Sequence, residues 1–347
     1  MSKIAIIYGK KSEEIRLLPI INELHTRKIS IIPVQTGEQE LQMKEDFIYT
    51  NQILAKSTTE QQSKIMQHLN SVLDKEDLVA ILVIGNTLSA FCGALYGYLR
   101  KVKILHVNAG QRTYNLHNAF PEEGFGQIID KLSSLYFVTT KFNYKNLIKE
   151  KVNKNKVYIV GNTLFDIIND MKIPNKDNTD EVLIAIHRNE NTKHLKCICM
   201  AINNLVKNKQ DHVFNIILPN NINMSNEMLQ YLLINTNINI LKDLSHTEVI
   251  NYINKSKLII TDGFGIQEEA TILKKPTFII REYLENKESL KTGAAKIIEI
   301  EYMKLLSSVE SFLNNKLKFK IKDCKYYKKD CAKNIGEIIE NTIFKTV

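Results

Sequence analysis

The chain has 347 residues, 44% of them hydrophobic and 24% charged, a composition that excludes wholesale disorder and fits a soluble globular protein of two domains. Lys plus Arg outnumber Asp plus Glu by 47 to 38, and the resulting formal charge of +9 favours anionic partners without choosing among them. The scattered Cys92, Cys197, Cys199, Cys324 and Cys331 exclude a disulfide framework and paired zinc spacing, and no run approaches the roughly 20 apolar residues of a membrane span.

The N-terminal MSKIAIIYG reads as a strand reaching a turn, not as a signal peptide, so a cytoplasmic chain with structural thiols is expected. Predicted strands at residues 4–8, 29–34, 79–84, 102–107 and 135–138 alternate with helical patterns at 14–28, 61–75, 88–100 and 142–149. The polar stretch 171–180, MKIPNKDNTD, interrupts the pattern at Pro174. Strands at 182–186, 214–218, 238–241, 258–261 and 277–280 then alternate with helices at 195–207, 227–233, 247–254 and 266–273. Taken as a strand, Cys197-Ile198-Cys199 would put both thiols on one face.

Such βαβα alternation predicts an α/β protein with two Rossmann-like domains, parallel sheets covered on both faces, and a cleft between the domains. The boundaries are expected at 1–172 and 173–322, with 323–347 a helical tail packing back on the N-terminal domain. A lysine run, Lys316, Lys318, Lys320, Lys322, Lys325, Lys328, Lys329 and Lys333, reads as a solvated face.

Ligands sit at the C-terminal ends of strands in such sheets, and those ends are rich in polar residues here. After the first strand, Gly9-Lys10-Lys11-Ser12-Glu13 suits a phosphate through helix amides and Lys11, or is a cap with a first-turn acid. Gly85-Asn86-Thr87 follows another strand, and residues 106–113, HVNAGQRT, follow the next. Pro121-Glu122-Glu123 is a rigid helix start whose acids either answer the helix dipole or move a proton. In the second half, His187-Arg188 at a strand end suits a diphosphate or proton transfer near neutral pH. Gly263-Phe264-Gly265 opens a helix as a phosphate cradle, and the carboxylates one turn later can accept hydrogen bonds from ribose hydroxyls. The residues alone therefore point to a nucleotide-like ligand with a hydroxylated sugar.

The ordered set HVNAGQRT, PEE, VGNTLFDII, IHRNEN, TDGFGIQEEA and KKPTFIIRE resembles the UDP-N-acetylglucosamine 2-epimerase family, from Gly9 to about Gly293. The resemblance implies the glycosyltransferase-B fold, a cytoplasmic homodimer serving cell-surface polysaccharide synthesis, and no metal or redox cofactor. It implies UDP elimination as the C2 proton leaves, then re-addition to give UDP-N-acetylmannosamine; hydrolysing members release the free sugar. Carried over by position, Glu122 is a catalytic carboxylate, with His187, Asn86 and Asn108 at the other catalytic positions. Lys11, Arg16, Arg112, Arg188, Gly263, Phe264, Gly265, Gln267 and Glu269 fall at substrate-binding positions, Glu269 on the ribose.

Several positions depart from the family pattern. Asn86 and Asn108 stand where the motifs carry acids, and an amide exchanges no proton at neutral pH. Phe264 replaces a glycine, Gly263 a serine, Asn286 an arginine, and Phe125 and Gly126 an Asn and an Arg. A UDP-sugar-binding protein without turnover is therefore the alternative, as is a hydrolysing enzyme with an altered substrate. A glycosyltransferase on the same fold is favoured neither by the motif order nor by the retained PEE. Nucleic-acid binding has only the net charge behind it.

Overall fold

The computed structural model describes residues 2–38, 55–117, 120–173, 179–219, 221–232, 235–281, 288–323 and 329–345. Pro174, Glu285, Asn286, Cys324, Lys325 and Lys328 lie outside the described residues.

In the first strand, β1 (Lys3–Tyr8), Ile4, Ile6 and Tyr8 enter one apolar cluster while Ala5 and Ile7 enter another. A strand with both faces in apolar clusters belongs inside a covered parallel sheet. The chain continues through α1 (Lys11–Thr26), β2 (Ile31–Gln35), α2 (Thr58–Leu73), β3 (Leu78–Ile84), α3 (Leu88–Leu99), β4 (Lys103–Val107), α4 (Glu122–Leu132), β5 (Leu135–Val138), α5 (Lys141–Lys149), β6 (Val157–Ile159) and α6 (Thr163–Asp170). The strands form one parallel sheet ordered β2-β1-β3-β4-β5-β6. Leu17, Ile20 and Leu24 of α1 cover one face; Ile65 and Leu69 of α2 and Ala90 and Ala94 of α3 cover the other.

The second series is β7 (Glu181–Ala185), α7 (Leu195–Asn208), β8 (Val213–Ile217), α8 (Ile222–Tyr231), β9 (Ile238–Leu241), α9 (His246–Lys255), β10 (Leu258–Thr261), α10 (Phe264–Ile272), β11 (Thr277–Ile279), α11 (Glu288–Lys291), β12 (Ala295–Ile297) and α12 (Tyr302–Leu313). Its strands form a second parallel sheet, ordered β12-β11-β10-β7-β8-β9. Val182 and Ile184 of β7 face α7 and α12, whereas Leu183 and Ala185 face the α9 and α10 side.

Packing divides the chain into Met1–Ile167 with Tyr326–Val347, and Ile168–Lys325. The last helix, α13 (Cys331–Ile339), thus belongs to the first unit, where Ile335 and Ile339 join the α1 side of its sheet. Gly336 admits that approach, since a Cβ there would lie 2.7 Å from Cγ of Glu23. Arg27, just past the end of α1, closes the contact with a 2.6 Å bond to Glu340. Asp166 of α6 accepts the amides of Cys331 and Ala332 at 3.2 and 2.9 Å, capping the helix from a distant part of the sequence.

Cys197 and Cys199 lie on α7, not on a strand, and two residues of helix rotate them apart: Cys199 is buried and Cys197 half-buried. Lys316, Lys318 and Lys320 are exposed and alternate with half-buried Leu317 and Phe319. Among the described residues no helix is long and apolar enough to cross a membrane.

Candidate active site

Winding reverses direction between β1 and β3 in the first sheet and between β7 and β10 in the second. At such a reversal the flanking connections leave on opposite sides of the sheet and open a crevice beyond the strand ends, where ligands bind. Each unit carries a polar cluster at its reversal.

In the second unit β7 runs into His187 and Arg188, and β10 into Asp262 and Gly263. Asp262 Oδ1 accepts the His187 amide at 2.8 Å; Oδ2 accepts the Arg188 amide at 3.1 Å and Asn191 Nδ2 at 2.8 Å. One buried carboxylate thereby fixes the turn after β7 against the start of α10. The helix ladder begins with the Gln267 amide on the Gly263 carbonyl, so the first-turn N–H groups lie ahead of it, as in an anion-binding helix start. Among the described residues a Cβ at Gly265 would meet nothing within 4 Å, so this end of the helix is open to them, with half-buried Phe264 beside it. Burial holds the His187 imidazole below its usual pKa range, against the opposing carboxylate of Asp262, and so favours the neutral ring at pH 7.

Farther along α10, Gln267 is buried and donates from Nε2 to Ser289 Oγ at 2.6 Å. Its amide therefore ties α10 to α11. Glu269 meets His246, the first residue of α9, with Nε2 2.8 Å from Oε1.

In the first unit the β1–α1 turn is built around Glu13. Its Oε2 accepts the amides of Gly9 and Lys10 at 2.8 and 3.0 Å, and its Oε1 accepts the Thr87 hydroxyl at 2.5 Å. Glu13 therefore joins the ends of β1 and β3, and Thr87 in turn caps α3 by accepting the Ala90 amide. Burial, then the neighbouring Glu38, push the Glu13 pKa up to about 7, against the opposing pull of Thr87, the Gly9 amide and Lys10. Gly9 permits the crowding: a Cβ there would lie 2.0 Å from Ser89 Oγ and 2.7 Å from Cβ of Glu38.

Lys11 is exposed at the first position of α1, and Arg16 is buried one turn later. Asn86, half-buried after β3, neighbours α4; a Cβ at Gly126 would sit 3.4 Å from its own Cβ. Asn108 is buried with φ 61°, a backbone state asparagine tolerates, and its Oδ1 accepts the Thr139 hydroxyl at 3.2 Å. Glu122 is half-buried at the start of α4, and among the described residues it makes no hydrogen bond or ion pair. Glu123 is committed to structure: Oε2 accepts the Thr113 amide and hydroxyl at 2.6 and 2.8 Å, and Oε1 accepts Gln127 Nε2 at 2.8 Å. Burial raises its pKa, but these bonds outweigh burial and the net direction is down.

The Arg112 guanidinium is closed to solvent. Nε and Nη2 pair with Glu150 at 2.8 and 2.9 Å, Nη2 also with Asp130 at 2.7 Å, and Nη1 with the Gln111 carbonyl at 2.8 Å. Asp130 further meets His106 Nδ1 at 2.7 Å and accepts the Gly110 amide at 3.1 Å, while His106 Nε2 lies 2.7 Å from the Gly85 carbonyl. Burial raises the Asp130 pKa, but His106 and Arg112 overcome it and hold the carboxyl below its ordinary range. The network locks the turn carrying Asn86 and the loop carrying Asn108 to α4.

The structure thus brings Glu13, Asn86 and Thr87 together in the first unit, and His187, Arg188, Gly263 and Gly265 together in the second. Sequence reading placed Lys10 in the first turn without its partner and missed Glu38, Asp130 and His246. Glu38 follows β2 and so obeys the same strand-end rule, and His246 opens a helix marked by the Ser245–Glu248 capping box. Asp130 carries no local signal.

The family model described as UDP-N-acetylglucosamine 2-epimerase matches residues 31–340. A UDP-N-acetylglucosamine 2-epimerase of Campylobacter jejuni is 32% identical over 337 residues, covering 86% of this chain and 86% of the relative. The structure of UDP-GlcNAc 2-epimerase from Neisseria meningitidis bound to UDP-GlcNAc superposes with a TM-score of 0.90 at 25% identity, covering 99% of this chain and 100% of the other. That of the Methanocaldococcus jannaschii enzyme in complex with UDP-GlcNAc and UDP gives 0.87 at 27% identity, covering 98% and 99%. Two parallel sheets in this arrangement constitute a glycosyltransferase-B-like fold.

Proposed function

Because the chain belongs to the UDP-N-acetylglucosamine 2-epimerase family, we propose that it interconverts UDP-N-acetylglucosamine and UDP-N-acetylmannosamine. The observation that carries the reading is the placement of a polar cluster at each winding reversal, carboxylates in the first unit and an open helix start with His187 and Arg188 in the second.

In the forward direction a carboxylate takes the C2 proton while the C1–O bond to UDP breaks with its electron pair, leaving a C1=C2 double bond. A proton then reaches C2 from the opposite face, and a diphosphate oxygen of UDP attacks C1. Glu122 is the carboxylate assigned to the proton, because it alone of the PEE acids is uncommitted among the described residues. The amides at the start of α10, with Arg188 and a neutral His187, are assigned to the diphosphate, where negative charge grows as UDP leaves. Glu269 is assigned to the ribose hydroxyls. Arg112 and Gln267 are assigned the positioning of loops and helices, since their polar groups are turned to protein partners.

Asn86 and Asn108 are assigned hydrogen bonding without proton transfer. Those two amides are the motive for a second reading, a UDP-sugar-binding protein without turnover, and the retained Glu122 speaks against it. The premise also supports a cytoplasmic homodimer that supplies an activated amino sugar for cell-surface polysaccharide.

The test is incubation with UDP-N-acetylglucosamine in deuterated water, followed by proton NMR. The manno epimer with deuterium at C2 is expected; free N-acetylmannosamine with UDP would indicate the hydrolysing reaction. If neither product forms at high enzyme concentration, yet UDP still raises the melting temperature, the binding-only reading takes its place.

A further inference from the structure

Beyond the residues assigned so far, an ion pair lies at the first unit's winding reversal. The Lys10 ammonium lies 3.1 Å from Glu38 Oε1. The other carboxylate oxygen of Glu38 accepts both the amide and the hydroxyl of Ser89, at 2.9 and 2.5 Å. Glu38 is therefore anchored to the start of α3, with its side chain 9% exposed, while Lys10 at 38% is the member of the pair that a ligand can reach. The pair joins the turn after β1 to the turn after β2, across the edge where β3 ends in Asn86 and Thr87.

Resting on the epimerase reading, the geometry points to the Lys10–Glu38 ion pair as a positioning device of the reaction, one that fixes a cation on the turn that the Glu13 carboxylate closes and sets the pH range in which proton transfer runs. Three elements supply the charges around Lys10: Glu13 from α1, Glu38 from the turn after β2, and Glu122 from the start of α4. Burial works against the ammonium, but these three outweigh it and hold the Lys10 pKa above its usual range. Lys10 is thus a fixed positive charge at neutral pH and not itself a proton donor.

Glu13 faces Glu38, Lys10, the Thr87 hydroxyl and the Gly9 amide. The negative charge of Glu38 reaches α3 as well, where it joins burial in pushing the Cys92 thiol up to about 12. With amides at positions 86 and 108, proton exchange in this cluster falls to carboxylates, and Lys10 and Glu38 bias Glu13 among them in opposite directions. Glu38 opposes ionisation of its neighbours, and Lys10 favours it.

This opposition is the test, because a merely structural pair would move both profiles alike or neither. The dependence of kcat/KM on pH is measured for wild type, Lys10→Met, Glu38→Gln and Lys10→Arg, with the rise in melting temperature on adding UDP as the check on folding. Losing the cation should displace the acid limb upward by roughly one pH unit, losing the anion should displace it downward, and Lys10→Arg should leave it in place. Folded variants whose limbs coincide with wild type, or move the same way, overturn the proposal even though the epimerase reading stands. If wild type itself does not turn over, that reading falls first. A carbon-13 titration of labelled glutamate, with Glu13→Gln identifying the resonance, then decides the charge coupling alone: opposite displacements of Glu13 in the two variants support it, and unmoved titration overturns it.

Discussion

His246 Nε2 and Glu269 Oε1 lie 2.8 Å apart, a hydrogen-bonding contact between the first residue of α9 and the second turn of α10. Glu269 is almost buried, so a free carboxylate there would lose solvation with no partner to compensate. His246 holds one oxygen, and the proposed ribose contact would use the other. His246→Ala should therefore weaken UDP binding by about tenfold, the equivalent of one hydrogen bond to a charged group. It should weaken 2′-deoxy-UDP less, because the diol is then incomplete. Calorimetric titration with both nucleotides decides; equal losses would remove Glu269 from the ribose.

Arg112 bridges two carboxylates, Asp130 and Glu150, with its guanidinium fully buried between them. Breaking a buried ion pair leaves an uncompensated charge, so Arg112→Ala should destabilise the first unit by about 3–5 kcal/mol. Lysine cannot reproduce the two-pronged contact and should recover only part of that. The folded-state pKa of Asp130 is depressed, so its contribution is present above the ordinary value of 3.8 and is lost as pH falls below it. Urea unfolding at pH 7 and at successively more acid pH should show this loss in wild type and its absence in Asp130→Asn.

Much of the fold is legible because covered parallel strands spell themselves as β-branched runs. β5, β9 and β10 fall where apolar periodicity puts them. α1 starts at Lys11, three residues before the predicted start at 14, because Glu13 bonds back to the amides of Gly9 and Lys10, which periodicity does not see. β6 and β12 have three residues each, too short for a pattern, and α13 starts inside the lysine-rich run, where position cannot be inferred from spacing. At the site, strand ends locate His187, Arg188 and Asn86, and the Pro121 helix start locates Glu122. Their partners are another matter. Asp262 with His187, Asp130 with His106, Glu38 with Lys10 and His246 with Glu269 are separated by 75, 24, 28 and 23 positions, so only the topology brings them together.

Asp166 belongs to the VGNTLFDII motif, and its position in the fold gives that acid a structural task. It holds the first amides of α13 against the first unit, although burial raises its own pKa against the pull of those amides. Asp166→Ala should cost about 1–2 kcal/mol, as removal of a helix cap does. The loss should be local: limited proteolysis ought to release a fragment beginning near α13 before the rest of the chain is cut. Unchanged cleavage order would show that Ile335, Ile339 and the Arg27–Glu340 bond suffice to hold the helix.

Glu13 offers the opposite sign of pH dependence to Asp130. Its carboxyl titrates at about 7 in the folded protein against an ordinary value of 4.5, so between those values the folded chain binds more protons than the unfolded one. Stability contributed by this group must then fall as pH rises from 4.5 to 7 and level off above. Glu13→Gln keeps an oxygen for the Gly9 and Lys10 amides and removes the titration. Relative to wild type, the variant should gain stability progressively across that window, reaching its full advantage above neutral pH, while losing turnover if the cluster carries the proton. Chemical unfolding of both proteins across the window measures the difference directly. Parallel curves would mean that Glu13 ionises at an ordinary pH in the folded chain, its hydrogen bonds and Lys10 offsetting both burial and Glu38.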